Sequence, residues 1–108
     1  MSNHEYITFG ETLRKLREKG NMPLRELASK LEIDQSTLSK IERNERKATR
    51  EMIEKISNIF NVKEKELTIN FMSDIVAYEL INEEHSIDIL KVAEEKLEYL
   101  KTKRKKRR

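Results

Sequence analysis

Gln35, Ser36, Ser39, Lys40 and Arg43 share one side of a short run whose other side carries only Leu38 and Ile41. The result is an outer face of amide, hydroxyl and cationic groups backed by a thin apolar edge. That combination suits the major groove of duplex DNA. There Gln is a bidentate match for adenine, Lys reaches guanine O6 and N7, and Ser meets either donors or acceptors. A face of this kind binds; no catalysis is implied by it.

The elements that must hold this face are legible around it. Leu24, Leu27, Ala28 and Leu31 recur at i, i+3, i+4 and i+7, the inward stripe of a preceding helix. Glu32-Ile33-Asp34 interrupts that period, with Ile33 available to plug the corner and Asp34 placed to cap the next helix. Upstream, Thr8-Phe9-Gly10-Glu11 has the form of a capping box. Phe9, Leu13 and Leu16 supply the inward edge of a first helix, which Gly20 is placed to end. Pro23 fits a first helical position. Beyond the outer face, Asn44–Ala48 reads as a polar loop and Thr49 as a cap. Met52, Ile53, Ile56, Ile59 and Phe60 form the inward side of a fourth helix that Asn61 can close.

From Lys63 a fifth helix opens, and its pattern differs. Leu67, Phe71, Ile75 and Tyr78 make one stripe, with Met72, Val76 and Leu80 making a second beside it. That arc is wider than packing on a small head requires. After a turn at Asn82–His85, with Ser86 as cap, a sixth helix carries Leu90, Ala93, Leu97 and Leu100 at 3-4-3 spacing. That spacing suits a short helix–helix seam.

The chain has 108 residues, so one domain with an appendage is expected. Gly (2) and Pro (1) are scarce, which points to an almost wholly helical protein. Charged residues make up 40%, so a single copy buries only a small core and gains from pairing. The absence of cysteine excludes disulfides and fits a cytoplasmic protein. No apolar run exceeds four residues (Ile75–Tyr78) and no signal-peptide core is visible, so neither a membrane span nor export is expected. The net charge of +3 conceals a segregation. Residues 1–50 carry 11 basic and 8 acidic side chains, residues 51–100 carry 5 and 12, and residues 101–108 carry 7 and none. A basic head, an acidic middle and a strongly basic tail indicate an anionic partner met at defined places.

The run from Leu27-Ala28 through Leu31, Ile33 and Ser36-Thr37-Leu38-Ser39-Lys40-Ile41-Glu42-Arg43 resembles the helix-turn-helix of the phage lambda repressor and Cro family, often called the Xre family. The resemblance spans about residues 9–67 and includes Met52–Phe60 with Asn61-Val62 as the fourth helix and its exit. It implies sequence-specific binding of double-stranded DNA by a transcriptional regulator, with Gln35, Ser36, Ser39 and Lys40 reading bases. Thr37, Arg43, Arg46 and Lys47 would meet the DNA backbone. Three departures are visible. Leu24 stands where the family usually has Gln, Glu32 where the turn usually has Gly, and Ala48 where Pro often ends the loop.

The remaining polar residues fit ordinary surface positions. His4 and His85 are lone histidines rather than metal ligands. Glu83-Glu84 and Glu94-Glu95 are solvated helix surface, and neither a metal nor a cofactor is implied. The expected fold is all-α, in three parts: a five-helix lambda-repressor-like head (7–67), a helical dimerisation segment (68–100) and a disordered basic tail (101–108). Phe71, Ile75, Leu90 and Leu97 are expected at a homodimer interface, with the dimer on a palindromic operator. Compatible variants are an antitoxin that grips a toxin through its C-terminal helices and also autoregulates, or a controller protein of a restriction–modification operon.

Overall fold

Capping chemistry sets where the helices begin and end. The computed structural model describes residues 7–106, in which six helices and no strand occur. Helix α1 (Phe9–Lys19) starts on the full capping box, with Thr8 Oγ1 accepting from the Glu11 amide and Glu11 accepting from the Thr8 amide. Gly20 closes α1 at an ordinary φ of −85°, and the left-handed residue is the next one, Asn21, at φ 53°. Pro23 is the N-cap of α2 (Leu24–Leu31) rather than its first helical residue. Asp34 caps α3 (Gln35–Glu42), and Thr49 caps α4 (Arg50–Phe60), which Asn61 ends at φ 55°. Then come α5 (Glu64–Leu80) and α6, which starts on Ser86 itself and runs through Lys106.

The chain divides into two compact units, the first ending at Ile75 and the second beginning at Val76. In the first unit α1 and α2 both pack on α3, and α2 also packs on α4. Leu13, Leu27, Leu38 and Ile56 are completely enclosed at its centre. Burying each of these contributes about 1.5–3 kcal/mol, so four side chains from four helices tie the head together. The two short helices of the central motif have little intrinsic stability and depend on this shared core.

The expected head boundary at residue 67 falls short of the compact unit. Leu67 and Phe71 are buried in the same core, and Ile75 packs against it. The Phe71 ring meets Phe9 edge to face, with centroids 5.6 Å apart. Polar contacts fasten the same stretch of α5 to the first helix. Phe9 N donates to Asp74 Oδ2 at 2.8 Å, and Asn70 Nδ2 donates to Thr12 Oγ1 at 2.8 Å. Phe71, expected at a dimer interface, is therefore a core residue of its own head, and Ile75 is largely committed there too.

In the second unit the expected disorder of the basic tail gives way to helix through Lys106. Lys and Arg are good helix formers, and cations near a helix C-terminus are favoured by its dipole. Thr102 Oγ1 donates to Glu98 O at 3.1 Å, and the Lys103 ammonium lies 6.0 Å from the Tyr99 ring centroid. Arg107, Arg108 and His4 lie outside the described residues. Among those described, no helix is long and apolar enough to cross a membrane.

Candidate nucleic-acid interface

Helix α3 has the two faces its residue types demand. Leu38 and Ile41 are buried, while Gln35, Ser36 and Lys40 are exposed and Thr37 and Ser39 are half-buried at the edges. Its start is held by Asp34, whose Oδ1 accepts from Thr37 N at 2.7 Å and from Ser36 Oγ at 3.0 Å. Hydrogen bonds from Thr37 and then Ser36 hold the Asp34 carboxyl below the usual carboxylate range, with the more distant Arg46 charge adding to the effect. With its proton donated to Asp34, the Ser36 hydroxyl has only acceptor capacity left for a ligand. Gln35 and Lys40 make no side-chain hydrogen bond among the described residues, so both retain their full capacity for a ligand.

The C-terminal end of the face is more constrained than its sequence suggests. Arg43 forks onto Glu45, with Nε to Oε2 and Nη2 to Oε1 both 3.0 Å, and this pairing raises the Arg43 pKa further. Arg43 Nη1 also donates to Ser39 Oγ. Ser39 and Arg43 are thus linked to each other and to Glu45, an acidic residue that the reading of the sequence left without a role. Arg46 and Lys47 stand exposed in the following loop.

Two features that orient α3 were not anticipated. The first is a salt bridge between α1 and the end of α3. Arg17 Nε lies 2.7 Å from Glu42 Oε2 and Arg17 Nη2 lies 3.0 Å from Glu42 Oε1. The two side chains are 14% and 5% exposed. Arg17 Nη1 also donates to Met22 O at 3.0 Å, so one guanidinium ties α1, the α1–α2 turn and α3. The hydrogen bond to Glu42 raises the Arg17 pKa further against the opposing effect of burial. A signal was available: Arg17 is i+4 from Leu13, and Glu42 is i+4 from Leu38, both inward positions.

The second feature is Gly10. A Cβ there would collide with the carbonyl oxygen of Ile41 and with Asn44 Oδ1, and would crowd the carbonyl of Glu42. Only glycine lets α1 approach the end of α3 this closely. Asn44, in the left-handed conformation at φ 64°, ends the helix there. Earlier, Glu32 takes the left-handed turn position at φ 61° at a cost of about 1 kcal/mol, and its carboxylate lies 3.8 Å from Lys55 Nζ. The departure from Gly in the turn thus leaves the backbone geometry in place. Leu24, in the position usually held by Gln, packs against the core instead of offering a polar group.

Of the residues expected at a pairing surface, Leu90 and Leu97 are exposed, at 41% and 53%. Among the described residues no group of three or more His, Asp or Glu side chains is placed to hold a metal ion.

A family model described as Helix-turn-helix (HTH_3) matches residues 13–67, which is α1 from Leu13 through the start of α5. The chain is also similar to "Control protein C.BamHI" of Bacillus amyloliquefaciens, at 35% identity over 68 residues, covering 62% of this chain and 84% of that protein. The match, the order of the helices and the polar outer face of α3 agree: this chain belongs to the Xre-type helix-turn-helix family of DNA-binding transcriptional regulators.

Proposed function

We propose that the protein binds a palindromic operator sequence-specifically as a homodimer, each copy inserting α3 into the major groove. The observation that carries this reading is the division of α3 into a buried edge, Leu38 and Ile41, and an exposed face where Gln35 and Lys40 are unengaged. Gln35, Ser36, Ser39 and Lys40 read base edges. Thr37, Arg46 and Lys47 meet phosphates, and Arg43 joins them once Glu45 shares or yields its guanidinium. Two-fold symmetry would place two half-sites about 34 Å apart.

Support for pairing comes from the apolar surface outside the core. Val76, Tyr78, Leu90, Val92, Leu97 and Leu100 are 41–54% exposed, so the second unit leaves six large apolar side chains half uncovered. Among the regulatory roles considered, controller of a restriction–modification operon is favoured over antitoxin, because the likeness to a control protein covers most of that protein's length.

Selection of bound duplexes from a random DNA pool tests the reading directly. A two-fold symmetric consensus is expected. Lys40→Ala should then cost on the order of 1–3 kcal/mol on the selected site and little on random DNA. No enrichment, or equal losses on both DNAs, would refute base reading by this helix.

A further inference from the structure

From Ile87 to Arg104 every side chain of α6 is exposed, so among the described residues of its own unit this helix has no cover. A solitary helix of this length is marginal in water, and its stability must come from packing of an apolar face. It has such a face. Ile89, Leu90, Ala93, Leu97 and Leu100 fall within an arc of about 100° on a helix of 3.6 residues per turn. These residues are not distinguished by charge along the helix, but their flanks are. Residues 83–98 hold 6 acidic and 2 basic side chains, whereas residues 101–106 hold 5 basic and none acidic.

We propose that α6 pairs with α6 of a second copy in antiparallel orientation, Leu90 and Ala93 of one copy facing Leu100 and Leu97 of the other. The pivot lies beside Glu95, and the inference rests on the homodimer reading, which it deepens. The electrostatic reason is direct. A parallel pair, with axes about 8–10 Å apart, would set the two cationic runs side by side within roughly one Debye length. Reversing one helix instead carries each cationic run away from its counterpart to the far end of the partner helix, where residues 83–88 hold 3 acidic side chains and no Lys or Arg. The same apolar residues meet in either orientation, so charge selects between them. The acidic and basic ends of α6 then complement each other as neighbouring fields rather than as paired side chains, and the repulsion of two adjacent cationic runs is avoided.

Asp88, Glu95 and Thr102 are spaced by seven on the face opposite the stripe, and the chain has no cysteine of its own. Spin labels on Asp88→Cys, Glu95→Cys and Thr102→Cys, introduced singly in the full chain, therefore read orientation without entering the seam. The label–label distance should be shortest at 95. At both 88 and 102 it should be longer, because an axial offset of about 21 Å, from about 14 residues at 1.5 Å of rise, combines in quadrature with the lateral separation. Equal distances at all three positions would mean parallel pairing, overturning the orientation and leaving the homodimer intact. Dimers in sedimentation without measurable coupling at any position would show that another surface pairs the copies, also overturning the inference. Monomers at high micromolar concentration would overturn the homodimer reading itself. Neutralising the cations, as Lys101→Gln/Lys103→Gln/Arg104→Gln, should weaken dimerisation roughly threefold or more at low salt without lowering helix propensity. Tighter pairing of that variant would again indicate a parallel seam. Unchanged pairing with weaker binding of random DNA would assign these cations to nucleic acid and overturn the proposal.

Discussion

Removing either partner of the Arg17–Glu42 bridge is expected to destabilise the head out of proportion to a single surface ion pair. The pair is bidentate, at 2.7 and 3.0 Å, and both side chains are largely shielded from water. Exposed pairs contribute up to about 1 kcal/mol, but stranding one member of a shielded pair costs roughly 3–5 kcal/mol. Arg17 retains its bond to Met22 O and a little solvent, so Glu42→Ala belongs at the lower end, about 3 kcal/mol. In a head of this size that lowers Tm by roughly 12–24 °C. Urea unfolding followed by circular dichroism measures it, since a shift in midpoint at constant slope reports stability alone. Replacing both partners, as Arg17→Met/Glu42→Leu, should recover most of the loss, because no charge is left stranded. The recovered variant then separates folding from positioning. Weaker binding of the selected operator at restored stability would show that the bridge also orients α3. Single variants that each cost less than about 1 kcal/mol would refute the reasoning, placing the pair effectively in water.

Three further outcomes follow from the packing and the caps. Gly10→Ala should destabilise by about 1–3 kcal/mol in thermal unfolding, because the new methyl group strikes backbone oxygens at the end of α3. Asp34 has a lowered pKa in the folded state, so its contribution is present above the unfolded carboxylate value near about 4 and is lost as pH falls through the folded value. Acid titrations of stability for the parent and Asp34→Asn should differ in slope in that range and converge below it. Phe71→Asp should unfold the head, since its ring is buried against Phe9, whereas Leu97→Asp should leave the head's circular dichroism unchanged and yield monomers in sedimentation.

Local periodicity and capping chemistry were sufficient to delimit the elements. Thr8, Asp34, Thr49 and Asn61 do as their types suggest, because a cap involves only neighbours within one turn. The buried edge of α3 and its polar outer face were equally legible, since a helix of known phase assigns each residue a side. Two expectations failed, for different reasons. Residues 101–106 continue α6 because Lys and Arg favour helix and suit its C-terminal dipole, a local preference that prevails over their mutual repulsion. Phe71 belongs to the head's core, and that outcome does not follow from its own pattern. Which of several available apolar surfaces covers a stripe depends on where distant elements lie. Phe9, 62 residues earlier in the chain, supplies the ring that Phe71 meets.

Periodicity and residue chemistry along the chain specify the helices, their caps, and the set of groups offered to DNA. Which charges are paired, and how closely the supports of α3 approach, emerges only when the helices pack. Arg17 and Glu42 are 25 positions apart and Gly10 meets Ile41 across 31, so no local pattern records their contact. The physical reason is that the cost of a shielded charge or a crowded carbonyl arises only when two distant segments are brought together. At that point one ion pair and one missing methyl group settle where the reading face of α3 points.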